Sequence, residues 1–381
     1  MKAAIFSLPL NYNIGGLLQQ FALSYTLEKL GVTPYLISRR KTRSNFLEPI
    51  VAAKWALISS IPCPSLLTFI SPLFAVEPFK RKYLRNRFHD VYSTSSLRHL
   101  LNHHNIDVVI VGSDQVWNPN ASPCLLDHFL YNLHSPNRRI LSYAASFGSL
   151  SFPISDDEIN LAKQSLSNFK LVSLREASGV DFVKATFECE AHKALDPTVL
   201  ITPSEYNSMF NLNTLNPHLP DDFIFVYILD MTLSIQRSLL KIASFLGLPL
   251  IFFSSAQRQG HERGIPYSSI ESYHMPAKTP ENWLYGIANA TFVITDSFHG
   301  TLISCLFNSS FLCYGNSSRG NDRFDSLLSE LNLSDRYQSL PEALEASQLS
   351  LISDWSFVND FFASQRSVSL SLLSSALGFS A

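Results

Sequence analysis

The chain has 381 residues, of which 46% are hydrophobic and 12% aromatic. That length suits two packed cores, and that composition excludes disorder as the main state. Only 16% of the residues are charged and the formal net charge is -2, which excludes a basic nucleic-acid-binding surface. Five scattered cysteines without a CxxC pair read as reduced thiols of a cytoplasmic protein. The histidines show no HExxH-type spacing, so neither a metal nor a bound cofactor is expected.

Taken in chain order, KAAIFSL (2–8) has strand character, and PLNYNIGG is a polar, glycine-containing loop. A helix through LLQQFALSYTLEKLG follows, with Gly31 as its stop. VTPYLIS (32–38) is the next strand and completes a β-α-β start. DVVIVGSD (107–114), RILSYAASFG (139–148) and KLVSLRE (170–176) are further strands. Between the last two, Ser155 and Glu158 form a capping-box pattern at the start of a helix. ASGVDFVKATF starts another helix, and ALDPTVLI (194–201) closes the half.

A second series begins after a turn-rich stretch. It runs strand 223–229, a helix ending at Gly247, strand 248–254, a polar loop 255–280, helix 281–290 and strand 291–296. A helix through GTLISCLFN, strand 310–316 and helix FDSLLSELNL complete it. The Ser/Leu-rich tail 364–381 suits either an amphipathic helix or a frayed end. Continuous apolar strands alternating with helices predict parallel sheets covered on both faces. The expectation is an α/β protein of two Rossmann-like domains facing a cleft. The N-terminal domain spans 1–203 with an apolar insertion at 45–80, and the C-terminal domain spans 204–381 with a tail that can pack back.

The stretch 50–74 is apolar, but Lys54, Pro62, Pro64 and Pro72 interrupt it, so it does not read as a spanning helix. The basic run Arg39, Arg40, Lys41 and Arg43 precedes it. A peripheral membrane contact through residues 39–74 therefore stands beside the alternative of a solvated loop and a buried pair of short helices.

In open α/β sheets, ligands bind outside the carboxyl ends of the strands. Polar residues gather at four such ends: Gly112-Ser113-Asp114-Gln115, Ser146-Phe147-Gly148, Arg175-Glu176, and Thr295-Asp296-Ser297-Phe298-His299-Gly300. His299 precedes a helix whose first amides attract anions, and it can give a proton near neutral pH; packing as a helix cap is its other reading. Asp296 either joins the chemistry or caps and orients its neighbours. The fork of Arg175 suits a carboxylate or phosphate, or a salt bridge to Glu176 or Glu188. Arg323 is a second arginine that can either cap or bind an anion. Trp117 offers a face to a sugar ring or belongs to the core. Asn13, with Gly15 and Gly16, lies in the first strand-to-helix loop.

Together NYNIGGLLQQFAL, VVIVGSDQVWNP, ILSYAASFG, VSLREASG, ALDPTVLI, VITDSFHGTLISCLF and the arginine-containing stretch before FDSLLSELNL resemble the polysaccharide pyruvyl transferase family. The motifs occur in the family's order over about residues 1–340. The resemblance implies a fold similar to GT-B glycosyltransferases. It also implies transfer of a pyruvyl group from phosphoenolpyruvate, as co-substrate, to hydroxyls of a sugar. The acceptor is a bacterial surface polysaccharide (exopolysaccharide) or its lipid-linked or nucleotide-linked precursor, and phosphate is released. The implied catalytic residues are His299, Asp114 and Asp296. The implied donor contacts are Arg175, Ser297, Gly300, Thr301 and Arg323, and the implied acceptor contacts are Asn13, Gln115 and Trp117. Some members carry an arginine at or near the position before the histidine. Here Ser297 and Phe298 stand there, so the second cation must come from elsewhere, from Arg323 or Arg319. A GT-B glycosyltransferase using a nucleotide sugar and a non-catalytic scaffold of polysaccharide assembly are the alternatives.

Overall fold

A computed structural model describes the chain except residues 10–12, 42–72, 85–86, 151–153, 216, 254–270, 316–321 and 380–381. Arg43, Arg319 and nearly all of the apolar stretch 50–74 thus lie outside the described residues. The chain divides into two compact units. The first comprises 1–63, 80–200 and 364–381, and the second comprises 64–79 and 201–363.

The first unit is built on β1 (Lys2–Ser7), β2 (Thr33–Arg39), β3 (Phe88–Val91), β4 (Val108–Val111) and β5 (Arg139–Ser142). They form an all-parallel sheet in the order β3-β2-β1-β4-β5. Two short strands, β6 (Ser173–Leu174) and β7 (His192–Lys193), pair with each other and extend this sheet through isolated bridges at Leu141–Leu171 and Ala145–Leu174. The four residues of β4 and all but the first of β1 are buried, as strands covered on both faces must be. The expected strand 139–148 is regular only to Ser142, and beyond it Ala145 bridges to Asp114 and Leu174.

The second unit carries β8 (Ile224–Tyr227), β9 (Leu250–Phe252), β10 (Ser272–His274), β11 (Phe292–Thr295), β12 (Phe311–Tyr314) and β13 (Tyr337–Gln338). They are parallel in the order β10-β9-β8-β11-β12-β13. The order reverses direction at β8/β11, so the loops after these central strands lie at a topological switch point.

Local signals acted where expected. Ser155 and Glu158 form the reciprocal capping box, and Gly247 ends its helix at φ 67°. The tail is a helix, Ser356–Leu377, and its second half packs on the first unit. There Leu195 N donates to Ser369 Oγ at 3.0 Å and Arg366 Nε donates to Val199 O at 2.8 Å.

One expectation is corrected. Arg39 is not part of a solvated basic run. It is buried and donates from Nε to Asp127 Oδ2 at 2.6 Å, while Thr94 Oγ1 donates to the other oxygen at 2.7 Å. Arg40 pairs with Asp90 at 2.6 Å. Both charges are therefore committed within the first unit. Beside this pair His128 is wholly buried, stacked on Phe6 at 4.6 Å, and burial lowers its pKa to about 4.

Candidate functional site

The candidate residues fall into two groups, one in each unit, at the carboxyl ends of the central strands.

In the first unit, Asn13 caps the helix Ile14–Lys29, its Oδ1 accepting from Gly16 N at 3.2 Å. Gly16 is tightly placed. A Cβ there would meet Asn13 Nδ2 at 3.0 Å and Asp114 Oδ2 at 3.5 Å. The Asp114 carboxylate thus faces the first turn of this helix, where amide groups favour negative charge. Asp114 is half-buried and has φ 82°, a left-handed conformation rare outside glycine. Its carbonyl accepts from Val116 N at 2.7 Å and Ser146 N at 3.0 Å, which holds the turn. Gln115, also half-buried, accepts at Oε1 from Asn118 Nδ2 at 2.9 Å and packs over Gly148. Gly148 sits at φ 75°, and a Cβ there would overlap Gln115 at 2.4 Å.

Arg175 is placed differently from the expected donor contact. It is 6% exposed. Its Nε donates to Glu176 Oε1 at 2.7 Å, one terminal nitrogen to Asp196 Oδ2 at 3.1 Å and the other to Ser146 Oγ at 3.2 Å. Burial alone would lower its pKa, but the carboxylates of Glu176, Asp196 and Asp114 outweigh burial and raise it. One cation among three carboxylates does not make an anion site. The salt-bridge alternative is the one realised, through Glu176 and Asp196; Glu188 pairs instead with Lys163. Trp117 is also corrected. It is fully buried, stacked on Phe129 at 5.0 Å, with Nε1 donating to His128 O at 3.0 Å, so it presents no face to a sugar.

In the second unit, β11 ends at Thr295 and the helix Phe298–Leu306 begins three residues later. Ser297 is the N-cap, its Oγ accepting from Gly300 N at 3.4 Å. His299 therefore lies inside the first helical turn and not in the loop before it. It is 6% exposed, edge-on to Phe298 at 5.5 Å. Asp296 is corrected from a catalytic to a structural role. Its two oxygens accept from the backbone amides of Leu229, at 2.6 Å, and Asp230, at 2.9 Å. It thereby ties the loop after β8 to the loop after β11. Thr301 is fully buried and donates to Ser297 O at 3.2 Å, so it too supports the helix and is not a donor contact. Gly300 lets the helix sit against the strand, since a Cβ would fall 2.4 Å from Thr295 Oγ1. Arg323, 7% exposed, lies in the helix Asp322–Glu330 with its guanidinium 5.4 Å from the centre of the Phe298 ring. A cation over that ring face is held electrostatically. The structure thus brings His299, Phe298 and Arg323 together around one helix N-terminus.

Ser146 and Glu176 were read from the sequence only as polar residues at strand ends, and Gln19 and Asp196 were not singled out at all. Gln19 reads locally as a helix face and Asp196 as a turn, and only the fold joins the four. Among the described residues, no group of three His, Cys, Asp or Glu side chains is placed to hold a metal ion. No helix of the described residues is long and apolar enough to cross a membrane.

The sequence model of the polysaccharide pyruvyl transferase family matches residues 13–318. The chain belongs to this family. Membership implies a transferase of polysaccharide biosynthesis acting with a donor substrate and a sugar acceptor. The matched span includes every site residue discussed above except Arg319 and Arg323. No curated protein matches the chain. Among solved structures it is similar to a Listeria monocytogenes protein assigned as a UDP-N-acetylglucosamine 2-epimerase, at 10% identity and TM-score 0.52, covering 95% of this chain and 91% of that one. UDP-GlcNAc 2-epimerases from Methanocaldococcus jannaschii and Rickettsia bellii align at 13% and 11% identity, with TM-scores of 0.49 and 0.48. They cover 93% and 98% of this chain and the same shares of their own. Such identities speak to fold alone. The fold is α/β of the GT-B type, with parallel sheets in separate units.

Proposed function

We propose that this member of the family transfers a pyruvyl group from phosphoenolpyruvate to two hydroxyls of a sugar, giving a ketal and inorganic phosphate. The observation that carries the reading is the grouping of His299, the amides of the first turn of helix Phe298–Leu306, and the Arg323 guanidinium over Phe298. Phosphoenolpyruvate carries a phosphate and a carboxylate, and needs a cation and a helix terminus to hold them. Arg323, over Phe298, takes the place of the arginine that some members carry near the histidine.

The chemistry assigns two proton roles. The methylene carbon of the enol must gain a proton so that its neighbour becomes electrophilic, and His299 is the general acid for that step. Two C–O bonds form at that neighbour and its bond to the phosphate oxygen breaks. The two acceptor hydroxyls lose two protons, one balancing the new methyl group and one leaving with phosphate. Asp114 is the acceptor-side base, and Asn13 and Gln115 flank it as acceptor contacts. A general acid or base contributes roughly 10²–10⁴ in rate. The acceptor is a polysaccharide or its lipid-linked or nucleotide-linked precursor, and the reaction runs in the cytoplasm, where phosphoenolpyruvate is made.

The fold likeness to proteins described as UDP-sugar epimerases keeps a nucleotide-sugar glycosyltransferase as the second reading. Thermal unfolding against phosphoenolpyruvate, UDP and GDP separates the two. A ligand at about 100 times its dissociation constant adds about 2.7 kcal/mol. Stabilisation by phosphoenolpyruvate that weakens in His299→Ala supports the proposal. Stabilisation by a nucleotide alone sinks it.

A further inference from the structure

We propose that Asp196 is a positioning residue for Asp114, acting through a buried polar frame that it shares with Gln19 and Arg175. The proposal rests on the reading of Asp114 as the acceptor-side base. Asp196 is 3% exposed and cannot itself meet a substrate. Its Oδ1 accepts from Thr198 N at 3.0 Å and Thr198 Oγ1 at 2.8 Å, which fixes the carboxylate in its turn. Its Oδ2 accepts from Gln19 and from Arg175.

Each of those partners leads to Asp114 by a separate route. Gln19 Nε2 also donates to Ser113 Oγ at 3.0 Å, on the residue before Asp114. Arg175 donates to Ser146 Oγ, and Ser146 N donates to Asp114 O at 3.0 Å. The side chain of the residue before Asp114 and the carbonyl of Asp114 itself are therefore both tied to one carboxylate. The amide of Leu195, the neighbouring residue, is pinned in turn by Ser369 Oγ at 3.0 Å.

Two physical arguments make this frame more than packing. A non-glycine residue at φ 82° persists only where its surroundings over-determine it, and such strain gathers at functional positions. A buried ion-pair cluster is in general no more stable than well-packed apolar residues of the same volume, so stability alone does not account for one here. The frame also sets charge. Arg175 brings one positive charge to it, and Asp196 and Glu176 bring two negative ones. A base whose pKa lies nearer the working pH takes a proton more effectively.

The test reads the Asp114 amide and carboxyl signals in the full-length protein by NMR, assigned by Asp114→Asn. Asp196→Asn weakens the anchor shared by Gln19 and Arg175. It is therefore expected to shift both signals and to lower kcat more than it raises the acceptor KM. Arg175→Gln, which cuts the route through Ser146, should do the same. Unshifted Asp114 signals in folded variants would overturn the proposal. If Asp196→Asn or Arg175→Gln does not fold, Gln19→Met serves, because it cuts the links to Ser113 and Asp196 and leaves the ion pair. The Asp114 amide and carboxyl signals are then expected to shift, and unshifted signals count against the frame. The NMR readout does not need turnover. Full activity in Asp114→Asn would remove the base assignment by itself, whereas an active-site Asp114 that ignores Asp196 would remove only the frame.

Discussion

Gly300→Ala tests the site by the smallest possible change. In the structure an added Cβ would lie 2.4 Å from Thr295 Oγ1, with Thr295 Cβ and Cγ2 at 3.1 and 3.2 Å. The closest contact is about 1 Å inside the ~3.5 Å at which nonbonded heavy atoms settle. Thr295 cannot swing aside freely. It is fully buried in β11, its Oγ1 donates to Tyr227 O at 2.8 Å, and the same oxygen accepts from Ser297 N at 3.1 Å. Either the helix carrying His299 backs away from the sheet or Thr295 gives up both bonds. Overpacking a well-filled core costs about 1–3 kcal/mol, and losing the two bonds would add about 1 kcal/mol each. The helix preference for alanine over glycine returns at most about 1 kcal/mol. The expected net loss is about 1–3 kcal/mol by urea unfolding. Thr295→Ala removes the clashing atom, so the double variant Thr295→Ala/Gly300→Ala should be more stable than the sum of the singles by about 1 kcal/mol or more. Additive effects, or a Gly300→Ala protein as stable as wild type, would refute the close approach that places His299.

Four further outcomes follow from the same geometry. His299→Ala should lower turnover by at least about 10² in a protein that still unfolds cooperatively, checked by phosphate release and calorimetry. Arg323→Ala, which removes the cation over Phe298, should raise the phosphoenolpyruvate concentration giving half-maximal stabilisation by about tenfold, as a lost charge-assisted contact of about 1.5 kcal/mol requires. Arg175→Lys cannot reach Glu176, Asp196 and Ser146 together, and should lose about 2–4 kcal/mol in urea while donor affinity holds; the reverse pattern would restore Arg175 as a donor contact. His128, whose pKa falls from 6.5 in the unfolded chain to about 4 in the fold, binds its proton more tightly when unfolded. Its contribution is whole above pH 6.5 and disappears as the pH falls towards 4, a loss of about 3 kcal/mol. Urea midpoints of His128→Phe should therefore vary less with pH over that window than those of wild type.

The long central strands and their caps were legible because their signals are local. Ser155 and Glu158 stand three residues apart, Gly247 follows the last apolar turn, and VITD ends where polar residues gather. Short edge strands escaped. β10 is three exposed residues, SYH, inside a stretch read as loop, and FHDV of β3 has no alternating pattern. Partners distant in sequence escaped as well. Arg39 looks like the start of a basic run until Asp127, 88 residues on, meets it. Trp117 looks like a sugar platform until Phe129 and Phe147 close over it. For Arg175 the adjacent Glu176 was readable, but Asp196 and the Gln19 bond that joins it to Ser113 depend on the folded sheet. In the second unit, His299 and Arg323 were both readable as candidates. The Phe298 ring between them is what the fold adds.

Pyruvyl transfer itself is tested most directly by mass spectrometry of the sugar. The purified protein is incubated with phosphoenolpyruvate and a panel of free, nucleotide-linked and lipid-linked sugars, and each acceptor is weighed before and after. The account predicts one acceptor that gains a pyruvate less one water, with one phosphate released per sugar and no product from His299→Ala. A product that instead gains a hexose from an added nucleotide sugar, with phosphoenolpyruvate unconsumed, would contradict it.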